Sequence, residues 1–403
     1  MILLAPAELV PGQVVARDVF NPAMPQMVLL KAGHRLTSKT INALHRFHSE
    51  GIWVVDDNLA PVSALVAEEV ERTLNELAVQ SFALWTSMER DPFAELPVKA
   101  FEIMVEDAVQ LLRRINLSLF TWTAWQAGDI FFGSHPAYVC VLSLILQRRA
   151  EQYVEKEFPG EAMSWRIATL LGMGALLHDI GNLRVPRHLL MNPDTLTPSE
   201  LEEVRSHVEH GYRMLHHVVG PHPALIALHH HQAYDGSGYP CRRSGEDDKP
   251  LAGHRIPVIA RIVSIADTYV TLTAHRPYAD AAPSLSAFRH IAGNAGAAFD
   301  PVLVSAFMDA VPPFLPGRRV ELSNGYNAVV VGYSPGQPEK PIVRTVINPN
   351  GEWLPVNRRE DLALSLHGDI RIVSYQDVPL AQATFPDKPP HSERVDYAAG
   401  DGA

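Results

Sequence analysis

Apolar residues along this chain change their spacing from one region to the next. Residues 1–58 hold short apolar runs, "QVVARDV", "MVLL" and "GIWVV", around one stretch of helical spacing, "SKTINALHRFHSEG". The runs predict strands and the spacing predicts a helix, started by Thr37 or Ser38 as cap and stopped by Gly51. A small α/β module is the expectation for this region. Over 59–128, apolar residues three and four apart in "VSALVAEEVERTLNELAVQSFALW" predict helices, to serve as a connector or as a dimer helix. Residues 129–312 keep the helical period, but segments such as "WRIATLLGMGALL" are apolar nearly all round, as buried helices are. Beyond Pro312 and Pro313 the period becomes alternating, in "RRVELSNGYNAVVVGYS" and "PIVRTVINPNGEWLPV". Asn324-Gly325 and Asn350-Gly351 mark tight turns, since both central residues of such turns need positive φ. They predict a small antiparallel β domain over 315–374. The stretch 380–403, rich in Pro, Gly and charge, is expected to be disordered. The fold class is therefore multidomain and mainly α: a helical bundle with an N-terminal α/β module and a C-terminal antiparallel β domain.

Composition narrows the function. At 403 residues the chain exceeds the roughly 250 to 300 residues that one core supports. A net charge of −11 opposes general binding to DNA, RNA or anionic membranes, so an anionic ligand would need local positive charge. Two cysteines, Cys140 and Cys241, form no CxxC pair, which fits a reducing cytoplasm. No apolar run reaches the ~18 residues of a membrane span, and the N-terminus lacks the basic start of a signal peptide.

The chemistry lies in 129–312, where polar side chains interrupt apolar helices. Ser134 is placed to cap a helix whose first turn carries His135 and Pro136. The "WRIATLLGMGALLHDIG" helix runs to Gly181 and sets His178 and Asp179 at its partly negative end, where a carboxylate is unfavourable unless a cation sits beside it. "GMG" lacks a third glycine and reads as close helix packing. "TPSE" predicts a capping box on Thr197 and Glu200, opening a helix whose core face is Leu201, Val204, Val208 and Leu215. His207 borders that face. "ALIALHHHQAYDGSGYP" ends an apolar helix in three histidines and a glycine-rich turn. Consecutive helical residues point about 100° apart, so adjacent histidines suit two metals better than one. Asp267 sits within "IPVIARIVSIADTYVTLTAHRPY", where burying it requires either a metal or a cation such as Arg261. Imidazoles and carboxylates on separate helices are what a bundle metal site uses, and their N/O character favours iron, manganese or zinc. Two such ions can share a hydroxide and clamp both oxygens of a phosphoester, with Asp179 as the natural bridge.

The series His135, His178-Asp179, His207, His230-His231 and Asp267, with "DGSGYP" and "HRPY", resembles the HD-GYP family of the HD superfamily of metal-dependent phosphohydrolases. The resemblance covers about 130–310. It implies an all-helical HD-type bundle with two or three metals, iron or manganese being expected, and a cytoplasmic enzyme that hydrolyses cyclic di-GMP or a related cyclic dinucleotide. It further implies those seven residues as ligands, with His178, Asp179 and Asn182 in the catalytic centre. Asp235, Gly238, Tyr239 and Pro240 would form the loop beside the nucleotide, and Arg276 and Tyr278 would contact phosphate.

Three positions depart from the family pattern. The lysine of "HDIGK" is Asn182, which removes a cation facing the substrate phosphates. The glutamate of "HHE" is Gln232, which can neither take a proton nor carry negative charge. The glutamate that accompanies a third metal is Phe131, so two ions are expected. The leading expectation is a phosphodiesterase that makes linear pGpG, and in a further step GMP, by attack of a metal-bridging hydroxide. The alternatives are a nucleotide-binding signalling module of low turnover and a hydrolase of a related cyclic dinucleotide. A homodimer or a signalling-protein partner is compatible with the flanking modules.

Overall fold

A computed structural model describes residues 1–21, 24–45, 51–60, 62, 68–90, 96–114, 131–158, 164–190, 196–241, 250–274, 282, 284–334, 337–375 and 378–380. The segment predicted to be disordered lies almost wholly outside them. The N-terminal region pairs β1 (Ile2–Leu4) antiparallel with β4 (Ile52–Val54) and β2 (Val19–Asn21) with β3 (Met24–Leu30), around α1 (Ser38–Leu44). Thr37 caps α1 as predicted, its hydroxyl accepting from the Thr40 amide. Of "QVVARDV" only Val19 enters a strand, while Val14 and Val15 make isolated bridges.

The helical body follows as α2 (Glu68–Arg90), α3 (Val98–Arg114), α4 (Phe131–Arg149), α5 (Glu151–Glu157), α6 (Ser164–Leu177), α7 (Arg187–Leu190), α8 (Pro198–Arg205), α9 (His207–Leu215), α10 (Pro221–His229), α11 (Val258–Thr273), α12 (Ser284–Gly293) and α13 (Pro301–Ala310). α4 and α6 lie against each other at its centre. α2, α11 and α13 surround α4, while α3 and α10 flank α6. Helices covered on several sides have no wet face to keep polar, which explains why these two read as apolar all round. α2 and α3 supply Leu77, Trp85, Phe101 and Val105 to the core that holds Tyr138, Leu171 and Phe307, so the predicted connector is built into the body. Gly172 and Gly174 of "GMG" meet Val105 and Ile226, where a Cβ would overlap their side chains, in keeping with close packing.

Two local expectations are corrected. Ser134 lies inside α4 rather than at its cap, because the helix already spans Phe131. The helix predicted to run from Thr197 through Leu215 is two helices. The capping box forms, but the chain tightens at Ser206, whose amide faces three carbonyls, and α9 restarts at His207. Spacing alone does not register such a break, because both halves keep their apolar residues on one side.

Arg319–Leu322, Asn327–Ser334, Gln337–Ile347, Asp361–Ala363, Ile372–Tyr375 and Val378–Pro379 form β5 to β10, one antiparallel sheet in the order β10-β9-β5-β6-β7-β8. The turn at Asn324-Gly325 joins β5 to β6 with Gly325 at φ 84°. Alternate residues of β6 divide between two cores: Val329 and Val331 pack with the N-terminal residues Leu4, Ile52 and Leu59, while Ala328 and Val330 pack with Leu285, Phe314 and Tyr375. The two ends of the chain are further joined by Arg359–Asp56 at 3.0 Å and Arg319–Glu8 at 2.5 Å. Because Ile52 is buried in this shared core, Ile52→Ala is expected to cost about 2 to 5 kcal/mol in chemical denaturation. A change within error would show that the N-terminal region adds little to stability.

Candidate metal centre

Seven side chains from five segments meet at one end of the body. His135 comes from α4, His178 and Asp179 from the chain just past α6, His207 from the first turn of α9, His230 and His231 from the end of α10, and Asp267 from α11. They fall into two groups, Asp179 with His207, His230 and His231, and His135 with His178 and Asp267; within each, the ligand atoms lie within 4.8 Å of one another. Asp179 faces both groups. Its Oδ2 is 3.3 Å from His178 Nε2, while its Oδ1 is 3.4 Å from His207 Nε2 and 3.7 Å from His230 Nε2. Asp267 Oδ1 closes the second group, 3.0 Å from His135 Nε2 and 3.8 Å from His178 Nε2. Arg261 does not pair with Asp267, which corrects that reading; it pairs with Glu157 at 2.8 Å and with Asp300.

The backbone decides which imidazole nitrogens face inward. Nδ1 of His178 lies 2.8 Å from the Ala175 carbonyl, Nδ1 of His207 lies 2.8 Å from that of Val204, and Nδ1 of His230 lies 3.0 Å from that of Ala227. A carbonyl accepts only, so each Nδ1 carries hydrogen and donates. Nε2 then bears a lone pair, as metal-binding histidines require. The three Nε2 atoms are buried without a hydrogen-bond partner. Lone pairs aimed at carboxylate oxygens repel unless positive charge lies between them. Burial alone would depress His178, but Asp179 and Asp267 outweigh it and push the imidazole up to about 9, so a proton takes the cation's place. Burial lowers His207 to about 4 and, with His230 and His207 adjacent, takes His231 well below its usual value, leaving both neutral and ready to ligate. Burial alone would raise Asp179, yet His178 and the neighbouring imidazoles hold it well below the usual carboxylate range. The donor set and its orphaned inward atoms fit divalent metal ions.

Two glycines permit this convergence. A Cβ on Gly181 would overlap the His207 carbonyl and the Gly211 amide, so its absence lets the chain after Asp179 lie directly on α9. A Cβ on Gly238 would overlap the backbone of His231, Gln232 and Ala233. The "DGSGYP" turn thus folds back on the histidine pair. The Ser237 amide donates to Asp235 Oδ1 at 2.8 Å, and the Tyr239 amide donates to the His231 carbonyl at 3.1 Å. The Tyr239 ring stacks on His231 at 4.9 Å. Gln232 is buried and donates from Nε2 to the Pro240 carbonyl at 2.7 Å, a bond that an ionised glutamate could not make.

Residues that sequence reading passed over hold the turn from behind. The Tyr234 hydroxyl lies 3.2 Å from His254 Nε2, His254 Nδ1 lies 2.7 Å from Glu157, and Glu157 shares Arg261 with Asp300, which caps α13. Each reads as an ordinary surface or capping residue, and no spacing links them. Asn182 is half-buried in the turn after Asp179. Arg276 and Tyr278 lie outside the described residues. Among the described residues, no helix is long and apolar enough to cross a membrane.

Residues 146–303 match the HD domain family. The chain is 32% identical to a cyclic di-GMP phosphodiesterase of Pseudomonas aeruginosa over 58% of its own length and 51% of that protein. It is 36% identical to a cyclic di-GMP phosphodiesterase of Thermotoga maritima over 45% of its length and 52% of that protein. A 3'3'-cGAMP-specific phosphodiesterase of Vibrio cholerae is 30% identical over 37% of this chain and 27% of that protein. The chain thus spans about half the length of the first two relatives.

Gly181→Ala tests the close approach, since the added methyl meets backbone that cannot rotate away. Its cost is expected at or above the upper end of the ~1 to 3 kcal/mol of ordinary overpacking, with fewer bound metal ions per chain by elemental analysis. Unchanged stability and metal content would mean that α9 can slide without consequence.

Proposed function

From the premise that the chain is an HD-GYP domain protein, we propose that it is a metal-dependent phosphodiesterase that opens cyclic di-GMP to linear pGpG and then GMP. The observation that carries this reading is the position of Asp179, one oxygen toward each group of imidazoles. Two divalent ions, iron or manganese given the all N/O donors, would be held by Asp179 with His207, His230 and His231, and by His135, His178 and Asp267. Ions bound there supply Lewis acidity at the phosphorus and an activated water. The chain's own residues do the rest. Backbone carbonyls hold hydrogen on Nδ1 of His178, His207 and His230, which turns their Nε2 atoms toward the metals. Asp235, Gly238, Tyr239 and Pro240 would border the nucleotide, and Arg276 and Tyr278 would contact its phosphate. Asn182 would lie beside the phosphates without adding charge.

A second reading, a binding module of low turnover, is favoured by Gln232. Its side chain is already committed to the Pro240 carbonyl, so the position fastens the turn and brings no negative charge to the site.

Elemental analysis after expression with ample iron and manganese is expected to give two ions per chain; no transition metal would overturn the centre. Asp179→Ala, which removes the shared carboxylate, is expected to leave one ion or none. Cyclic di-GMP and 3'3'-cGAMP are to be incubated with the metal-loaded protein and the products followed by chromatography. Turnover of cyclic di-GMP to pGpG is the expected result, and turnover of 3'3'-cGAMP alone would change the substrate. Asn182→Lys then separates the readings, because a cation aimed at transition-state charge is worth about 2.7 to 4 kcal/mol. A wild type that binds without turnover and a variant that hydrolyses would establish the binding module.

A further inference from the structure

We propose that Arg205 is a phosphate-binding residue of this site and supplies the positive charge that Asn182 lacks. The inference rests on the reading above that the ligand is a cyclic dinucleotide. Arg205 ends α8, two residues before His207. Its guanidinium carbon lies over the Tyr239 ring, 5.2 Å from the centroid. The His231 imidazole stacks on the same ring, with the planes 24° apart. His231 belongs to the Asp179 group, so Arg205 stands one aromatic ring away from the candidate metal ligands.

Among the described residues no carboxylate pairs with Arg205, and Glu209, one turn along, is taken by Arg213 at 2.8 Å. Arg205 Nε is buried without an acceptor. A cation in the last turn of α8 is favoured by the negative end of that helix, which accounts for a basic residue there. It does not account for a guanidinium laid on a tyrosine with its Nε withdrawn from water, since an arginine serving only the helix end gains by extending into solvent. A guanidinium held by its face keeps its outer N–H groups in the plane of the fork, free to grip two oxygens of one phosphate. Arg184 and Arg187, the basic residues just past Asn182, are exposed on the surface. The geometry therefore places the site's cation on the Tyr239 side, where "DGSGYP" folds over the histidines.

Manganese-loaded wild type, Arg205→Lys, Arg205→Gln and Arg205→Ala are to be titrated with cyclic di-GMP by calorimetry, with metal content and thermal melting measured on each. Loss of one charged hydrogen-bonded contact is expected to weaken binding about ten- to a hundredfold in Arg205→Gln and Arg205→Ala. Arg205→Lys should recover part of it, since lysine keeps the charge but loses the fork. Two ions per chain and an unchanged melting temperature are expected throughout, and in an active enzyme the loss appears in KM more than in kcat. Arg205→Gln keeps a side chain of similar reach, so the test stands even if Arg205→Ala folds poorly. Wild-type affinity in all three variants with full metal content would overturn the role of Arg205 while leaving the proposed function intact. Loss of metal in step with loss of binding would also overturn it, showing that Arg205 only props Tyr239 against His231. A wild type that binds no cyclic dinucleotide would instead withdraw the proposed function, and this inference with it.

Discussion

The half-buried carboxylate of Asp179 has imidazole nitrogens against both of its oxygens, and the structure around it follows from sustaining that placement. A carboxylate in an apolar interior costs several kcal/mol unless positive charge accompanies it. Among the described residues no lysine or arginine pairs with it: Arg261, the buried arginine of α11, is engaged with Glu157 and Asp300. Inward lone pairs facing two carboxylates make the centre a receptor for cations, whether a proton on His178 or metal ions at both groups. The apolar packing of α4 and α6 keeps these groups close despite their mutual repulsion when no cation is present.

The same constraint explains the glycines and the polar network behind them. Two groups of ligands on either side of one carboxylate require α9 and the end of α10 to approach the chain after α6 more closely than side chains allow. Gly181 meets α9 without a Cβ, and Gly238 lets the "DGSGYP" turn rest on the histidine backbone. Gln232 fastens that turn from inside through Pro240, while Tyr234, His254 and Glu157 connect it to Arg261 and to the cap of α13. At the position where the resemblance implies a glutamate, Gln232 thus makes a bond of its own. An amide can donate to the Pro240 carbonyl at neutral pH, whereas a carboxylate would oppose it.

Much of this was legible in the chain itself. Apolar period distinguished the helical body from the alternating C-terminal sheet, and Asn324-Gly325 marked the turn between β5 and β6 because its conformation is a local property of those two residues. The ligand residues stood out because His178, Asp179, His207 and Asp267 interrupt or border otherwise apolar helical faces, where an unpartnered polar group is costly. These signals are local, carried by residue type and by spacing of a few positions. Other features are relations between distant segments. The break at Ser206, the division of β6 between two cores, the pairing of Arg261 with Glu157 and Asp300 instead of Asp267, and the placement of Arg205 over Tyr239 each depend on which element lies alongside which. Periodicity tells which face of a helix is buried but not what covers it, so the candidate ligand residues could be picked out in the sequence, while their distances and the partners of each charge were decided by packing.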